Sequence, residues 1–322
     1  MKDKFGRRLN YIRISVTDRC NYRCVYCMPE EGLEWIPHDR IMTYEEIVFL
    51  SSVLHGLGVE KIRFTGGEPL VRKGFFDFLK DLADKVPDIR TVLTTNGSFI
   101  GEYIEEIRES GLSGINVSLD SLNPAVFGMI TRKGPLECVL KGIRTLSQET
   151  DIPIKINTVL MKGVNDEEIP ELLDFAMENR ATLRLIEFMP LDDSVWREDL
   201  FIPASSIFEK LPRPGSWIRI DNSSDHSAGP AVYYKNEATG QKIGIIEAVT
   251  QHFCEKCNRL RISATGILRP CLFSEDGIDL RPSLISRDPA LVRKNLMQGA
   301  LDKPECYAAS KTGKMHMSRI GG

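Results

Sequence analysis

Leu9-Asn10-Tyr11-Ile12-Arg13-Ile14-Ser15-Val16 is a short, largely apolar run that breaks at Thr17-Asp18-Arg19 into Cys20-x3-Cys24-x2-Cys27. Such a run reads as a strand, and the cysteine segment as a loop at its carboxyl end. Five further runs repeat the pattern, over residues 61–64, 89–94, 115–119, 154–160 and 183–188. Helical periodicities lie between them. Thr43 and Glu46 form a capping box ahead of Ile47, Leu50, Leu54 and Leu57, and Asp166 is expected to cap the run Ile169, Leu172, Leu173, Ala176 in the same way. Strands alternating with helices imply βαβ units and a parallel sheet. Six units fall short of the eight that close a barrel, so the expected architecture is an open, incomplete (β/α)6 barrel of the TIM type.

Outward from this frame, the 322-residue chain is long enough for about two domains. The pattern changes after Leu211: residues 213–230 are rich in Pro, Gly, Ser, Asn and Asp, which marks a connection. A first domain over residues 1–212 and a second over 213–322 are expected. The second carries short strand-like runs at 231–235, 242–249 and 260–264 and a helical stretch near 290–301. Hydrophobic residues at 42% exclude wholesale disorder. No apolar run approaches the ~18 residues of a membrane span, and Arg13 and Asp18 interrupt any signal-peptide core, so the chain is read as cytoplasmic with no membrane partner. A net charge of −3 and the lack of an aromatic-interleaved basic stripe argue against stable nucleic-acid binding. From Cys254 onward, however, 12 Lys/Arg stand against 7 Asp/Glu, a local excess that suits a small anionic ligand.

Six of the eight cysteines fall into two groups: Cys20, Cys24, Cys27 and Cys254-x2-Cys257-x13-Cys271. Clustered thiols in a cytosolic chain read as metal or redox ligands rather than disulfides. The first group suits either an iron–sulfur cluster with one open iron or a zinc site completed by a histidine, of which His38 is nearest. The second suits a zinc ribbon completed by His252 or a second such cluster. Unusual residues gather at the other strand ends: Thr65-Gly66-Gly67-Glu68-Pro69, Thr94-Thr95-Asn96-Gly97, Ser118-Leu119-Asp120 and Glu187-Phe188-Met189-Pro190. Ligands of parallel α/β folds bind on that rim. Arg259 and Arg261, two apart in an extended segment, share a face and make an anion-binding wall. Arg13, Arg63 and Arg184 lie inside strands, where an unpaired guanidinium is costly, and point independently to a buried anion. Cys138 and Cys306 are read as buried or incidental thiols, and His226, His252 and His316 as structural or surface residues.

The three-cysteine loop after strand one, with Tyr26 before its last cysteine, and the Gly66-Gly67-Glu68 turn resemble the radical S-adenosylmethionine (SAM) superfamily. The second group, in Phe253-Cys254-Glu255-Lys256-Cys257-Asn258-Arg259-Leu260-Arg261 and Leu268-Arg269-Pro270-Cys271, narrows the resemblance to the GTP 3′,8-cyclases of molybdenum-cofactor biosynthesis. That resemblance implies two [4Fe-4S] clusters, on Cys20, Cys24, Cys27 and on Cys254, Cys257, Cys271, the second in an iron–sulfur domain that closes the open side of the barrel. It implies SAM contacts at Tyr26, Gly67, Ser118 and Met189, and GTP contacts at Arg13, Arg63, Thr94, Lys155, Arg259, Leu260 and Arg261. Arg184 and the terminal Gly321-Gly322 are expected to act in catalysis, the glycine pair by entering a channel too narrow for side chains. The implied reaction removes hydrogen from C3′ of the GTP ribose and joins C3′ to C8 of guanine, a lyase-class cyclisation. The implied partners are an external electron donor, a downstream cyclic pyranopterin monophosphate synthase and a second copy of the chain in a homodimer. Two other readings stand beside it: a peptide-modifying radical SAM enzyme with two clusters, and a zinc-stabilised nucleotide-binding protein.

Overall fold

Alternation within the first strand sets up the interior. In β1 (Tyr11–Ser15), Ile12 and Ile14 are wholly buried in the hydrophobic core, while Tyr11 and Arg13 face a cavity on the opposite side. The same division recurs around the sheet, so one face packs on helices and the other surrounds the site. The structure is a computed structural model and describes residues 1–220, 229–274, 276–306 and 317.

The chain runs through α1 (Tyr44–Gly56), β2 (Lys61–Thr65), α2 (Phe75–Lys85), β3 (Arg90–Thr95), α3 (Ile104–Glu109) and β4 (Ile115–Ser118). It continues through α4 (Pro124–Thr131), α5 (Leu136–Glu149), β5 (Ile154–Leu160), α6 (Ile169–Glu178) and β6 (Ala181–Glu187). The later segment supplies β7 (Trp217–Ile220), β8 (Val232–Asn236), β9 (Lys242–Ile246), β10 (Arg259–Ile262), β11 (Ile267–Arg269), β12 (Ile278–Asp279), α7 (Arg281–Ile285) and α8 (Pro289–Leu301). The capping box of α1 forms as expected, with Thr43 accepting from Glu46 N and Glu46 accepting from Thr43 N. Asp166 does not cap α6. It accepts from Gly163 N (2.6 Å) and pairs with Lys210, because α6 begins only at Ile169, beyond its reach.

The six expected strands are parallel neighbours in chain order, β1 to β6, and the sheet stays open. The parallel run is nevertheless eight strands long. β10 lies parallel beside β1 and β9 parallel beside β6, so the later segment extends both edges. Beyond them β11 and β12, and β8 and β7, continue antiparallel to the two ends of a twelve-strand sheet. No helix of the described residues is long and apolar enough to cross a membrane.

Candidate active site

Two adjoining cavities occupy the inner face of the sheet, one at each cysteine group, and share Asn157, Ile186, Met189 and Met317 in their linings.

The first cavity is built on close backbone approach. Cys20, Cys24 and Cys27 are half-buried on the loop after β1, where Cys27 N donates to Cys24 O (2.9 Å). That loop presses on the turn after β2: Gly67 N donates to Thr17 O and Glu68 N to Arg19 O, both at 2.8 Å. A Cβ at Gly67 would lie 2.2 Å from the Arg19 carbonyl oxygen, and one at Gly66 2.5 Å from that of Thr17. The two glycines are therefore a steric requirement for seating the cysteine loop. Glu68 has two conceivable tasks, supporting a ligand or pinning this turn, and the geometry assigns it the second. It is wholly buried and accepts from Leu70 N (3.0 Å), Thr95 Oγ1 (2.8 Å) and Asn96 N (2.7 Å). Burial outweighs those bonds and raises its carboxyl to about 7.

Tyr26, Gly67, Ser118, Met189 and Thr94 all line this cavity. The Tyr26 hydroxyl donates to Asp120 Oδ2 (2.7 Å), and Asp120 Oδ1 accepts from Val159 N (2.8 Å). Burial pushes the Asp120 carboxyl up to about 6. Burial likewise raises the Cys20 thiol to about 11, and raises Cys24 with help from Cys27 and Asp120. Left to themselves these thiols are neutral, whereas binding a soft metal centre would draw off their protons. His38, the nearest histidine for a zinc site, lies in a separate surface groove.

The second cavity is a wall of cations. In register across β10, β1 and β2 stand Arg261, Arg13 and Arg63, with Arg259, Tyr11 and Lys61 one inward-facing position earlier. Lys155, Arg184 and Lys303 bring the Lys and Arg lining to eight, and none of the described lining residues is Asp or Glu. Burial lowers Arg13, and Arg261, Arg63 and Arg259 lower it further; burial and Arg259 bring Arg261 down to about 10. Burial would raise the Tyr11 phenol, but Arg63, Arg13 and Lys61 bring it down to about 7. Such crowding of positive charge is costly unless a polyanion completes it. Arg63 Nη1 donates to Thr94 Oγ1 (2.9 Å) and Leu93 O (3.1 Å), which ties this wall to the first cavity. Arg184 Nε and Nη2 grip Asn157 Oδ1 (2.9 and 2.6 Å), above Gly244, where a Cβ would sit 2.9 Å from Arg184 Cγ.

Cys254, Cys257 and Cys271 line the same cavity, as does His252. Burial would raise the Cys257 thiol, but Arg259 and Lys303 outweigh it and bring it to about 6. Lys303 is buried, and its ammonium donates to Arg259 O (2.9 Å) and Pro270 O (2.8 Å), joining the two halves of the triad. Among the described residues no three His, Cys, Asp or Glu side chains converge tightly enough for a single metal ion. Leu260 departs from its expected neighbours. It is wholly buried in the hydrophobic core and lines neither cavity, because strand alternation turns it away from the arginines on either side. Gly321, Gly322, His226 and His316 lie outside the described residues. Cys138 and Cys306 are exposed rather than buried.

Residues 14–176 match the family model of the radical SAM superfamily, and residues 181–308 match the model for Molybdenum Cofactor Synthesis C. The chain is 40% identical to the GTP 3′,8-cyclase of Geobacter sulfurreducens over 324 residues, 99% of each chain. It is 42% identical to that of Peptoclostridium acidaminophilum, over 99% of this chain and 98% of the relative. The chain belongs to the GTP 3′,8-cyclase family of the radical SAM superfamily. Streptococcus suis SuiB bound to precursor peptide SuiA shares the fold, with a TM-score of 0.65 at 16% identity over 93% of this chain and 66% of that one. Members of the superfamily carry a [4Fe-4S] cluster and bind SAM. The first cavity fits that group: three half-buried thiols on one loop face a glycine turn with no side chain to obstruct it. Asp120 stood among the residues marked at the end of the fourth strand, whereas Tyr11, Lys61, Asn157 and Lys303 are site residues that sequence reasoning did not single out. For two of them a signal existed: Tyr11-x-Arg13 and Lys61-x-Arg63 repeat the spacing of Arg259-x-Arg261.

Proposed function

We propose that this chain converts GTP to (8S)-3′,8-cyclo-7,8-dihydroguanosine 5′-triphosphate, the entry reaction of molybdenum-cofactor synthesis. The observation that carries the reading is the second cavity, where eight cations and no described carboxylate line a space opening onto the cysteine loop of the first. A peptide substrate offers no comparable charge, so the wall favours a nucleoside triphosphate over the peptide-modifying alternative.

Cys20, Cys24 and Cys27 would hold the first [4Fe-4S] cluster, and Cys254, Cys257 and Cys271 a second. With SAM bound and one electron delivered, the first centre would supply reductive cleavage of SAM as the source of hydrogen abstraction at C3′ of the ribose, and a second electron from the external donor with one proton would balance the 7,8-dihydro product. The protein's own residues bind and orient. Arg13, Arg63 and Arg261, three abreast, take phosphate oxygens, and Lys155 and Arg259 extend the wall toward the second triad. Thr94, held by Arg63, stands where the triphosphate wall meets the first cavity. Arg184, fixed by Asn157, adds charge between the two spaces, and Leu260 contributes only backbone. Tyr26, fixed by Asp120, and Gly67 and Ser118 shape the SAM side, while Met189 packs at the junction. Gly321 and Gly322 would enter this junction, a reading supported by Met317 lining both cavities. An external electron donor, a cyclic pyranopterin monophosphate synthase as consumer, a homodimer and a cytoplasmic setting belong to the same proposal.

The test is anaerobic reconstitution, an iron count, and assay with GTP, SAM and reductant. About eight irons per chain, with 5′-deoxyadenosine released only when GTP is present, is the expected result. Zinc in place of iron, or SAM cleavage indifferent to GTP, would overturn it.

A further inference from the structure

A triphosphate ordinarily travels with Mg2+, and proteins that take the magnesium complex hold the ion with one or two carboxylates besides the phosphate oxygens. The second cavity offers the opposite chemistry. Its eight Lys and Arg side chains stand with no Asp or Glu among the described lining residues. In the adjoining cavity the described lining includes one carboxylate, Glu187, and it is fully engaged. It accepts from Ala204 N (3.1 Å), Val249 N (2.7 Å), Thr250 N (2.9 Å) and Thr250 Oγ1 (2.6 Å). The positions where a divalent ion would neutralise phosphate are taken by guanidinium groups on three adjacent strands, Arg261, Arg13 and Arg63. Arg261 and Arg63 already oppose the charge on Arg13 between them, so two more positive charges would meet repulsion and no carboxylate ligand among the described lining residues.

We infer, on the reading that GTP is the substrate, that this site binds the nucleotide as the metal-free polyanion, its arginines standing in for Mg2+. Magnesium then opposes binding by withdrawing free GTP from solution, and the substrate of this enzyme is the minor, uncomplexed fraction of the nucleotide. Arginine suits the substitution because its planar fork engages two oxygens at once with no water to shed from a coordination shell.

The experiment is equilibrium binding of GTP to the anaerobic, cluster-loaded enzyme in EDTA and in millimolar Mg2+. Binding in EDTA, weakened about ten-fold or more by Mg2+, is expected. Equal or tighter binding in Mg2+ overturns the inference. A second readout uses Mn2+ added to GTP that is fully held by excess enzyme: the free-ion resonance should persist, and stoichiometric capture of Mn2+ by the complex would overturn the inference too. GTP binding in neither buffer would overturn the nucleotide reading, and this inference with it.

Discussion

Arg13→Met separates ligand affinity from the stability of the empty protein. Arg13 lies in register between Arg261 and Arg63, and burial together with these neighbours disfavours its charge. Strands sit about 4.8 Å apart; with the guanidinium groups splayed to roughly 8 Å, each pair repels by ~2 kcal/mol at an effective dielectric near 20. Methionine keeps the apolar stem and removes both repulsions, while giving up whatever the guanidinium donates to its surroundings. A net stabilisation on the order of 2 kcal/mol raises the Tm of the GTP-free enzyme by a few degrees in a chain of this size. GTP loses a charge-assisted contact worth ~1.5–3 kcal/mol, so its Kd rises about 10- to 150-fold. Anaerobic calorimetry on the cluster-loaded variant, with thermal melts in its absence and presence of GTP, reads both quantities. A GTP-free variant melting clearly below wild type, or a Kd within about three-fold of it, would refute the charge-crowding argument.

Three further outcomes are expected. Gly67→Ala drives a Cβ to 2.2 Å from the Arg19 carbonyl, so it should cost about four of about eight irons while circular dichroism stays native; full iron loading would contradict the steric argument. Glu68 has a folded-state pKa raised by burial to about 7, so its contribution is complete below the ordinary value of 4.5 and is lost as pH rises through about 7. That contribution is on the order of 3 kcal/mol. Urea melts of wild type should weaken relative to Glu68→Gln across this interval, and parallel curves would count against it. Lys303→Met takes the donor from the buried Pro270 carbonyl and the part-buried Arg259 carbonyl, the first costing ~1–3 kcal/mol; the Tm should fall and iron should leave the second triad first, which electron paramagnetic resonance of the reduced enzyme can follow.

Local periodicity located the six barrel strands to within two residues at every end, and residues 154–160 coincide with β5. What it could not reveal was the pairing of β9 and β10 with the outer barrel strands. Partners that lie about 60 and 250 residues apart leave no trace in a short window. The site divides along the same line. Cysteine spacing and arginines inside strands are anomalies visible in one dimension, and they marked both cavities. Lys303 follows the end of a helix, where a lysine is ordinary surface decoration, and only the fold brings the Arg259 and Pro270 carbonyls over it. Leu260 shows the converse: alternation alone turns a residue between two inward arginines toward the core. Asp166 had the right residue type for a cap, but Glu168 holds the cap position, Pro170 lies in the first turn, and Asp166 accepts from Gly163 N instead.

The edge strands also set a schedule for synthesis. When the ribosome has released β6, the half-made sheet ends in β1 on one side and β6 on the other, and both need partners encoded later. Some 75 residues separate the end of β6 from that of β10, or roughly 4–15 s of translation at 5–20 residues per second. Until β9 is complete the nascent polypeptide displays two bare parallel edges, and until β10 is complete it still displays one, the form of exposed backbone that recruits other chains. Holding chaperones are needed most there, and a premature stop codon within it yields an insoluble product rather than a smaller working half.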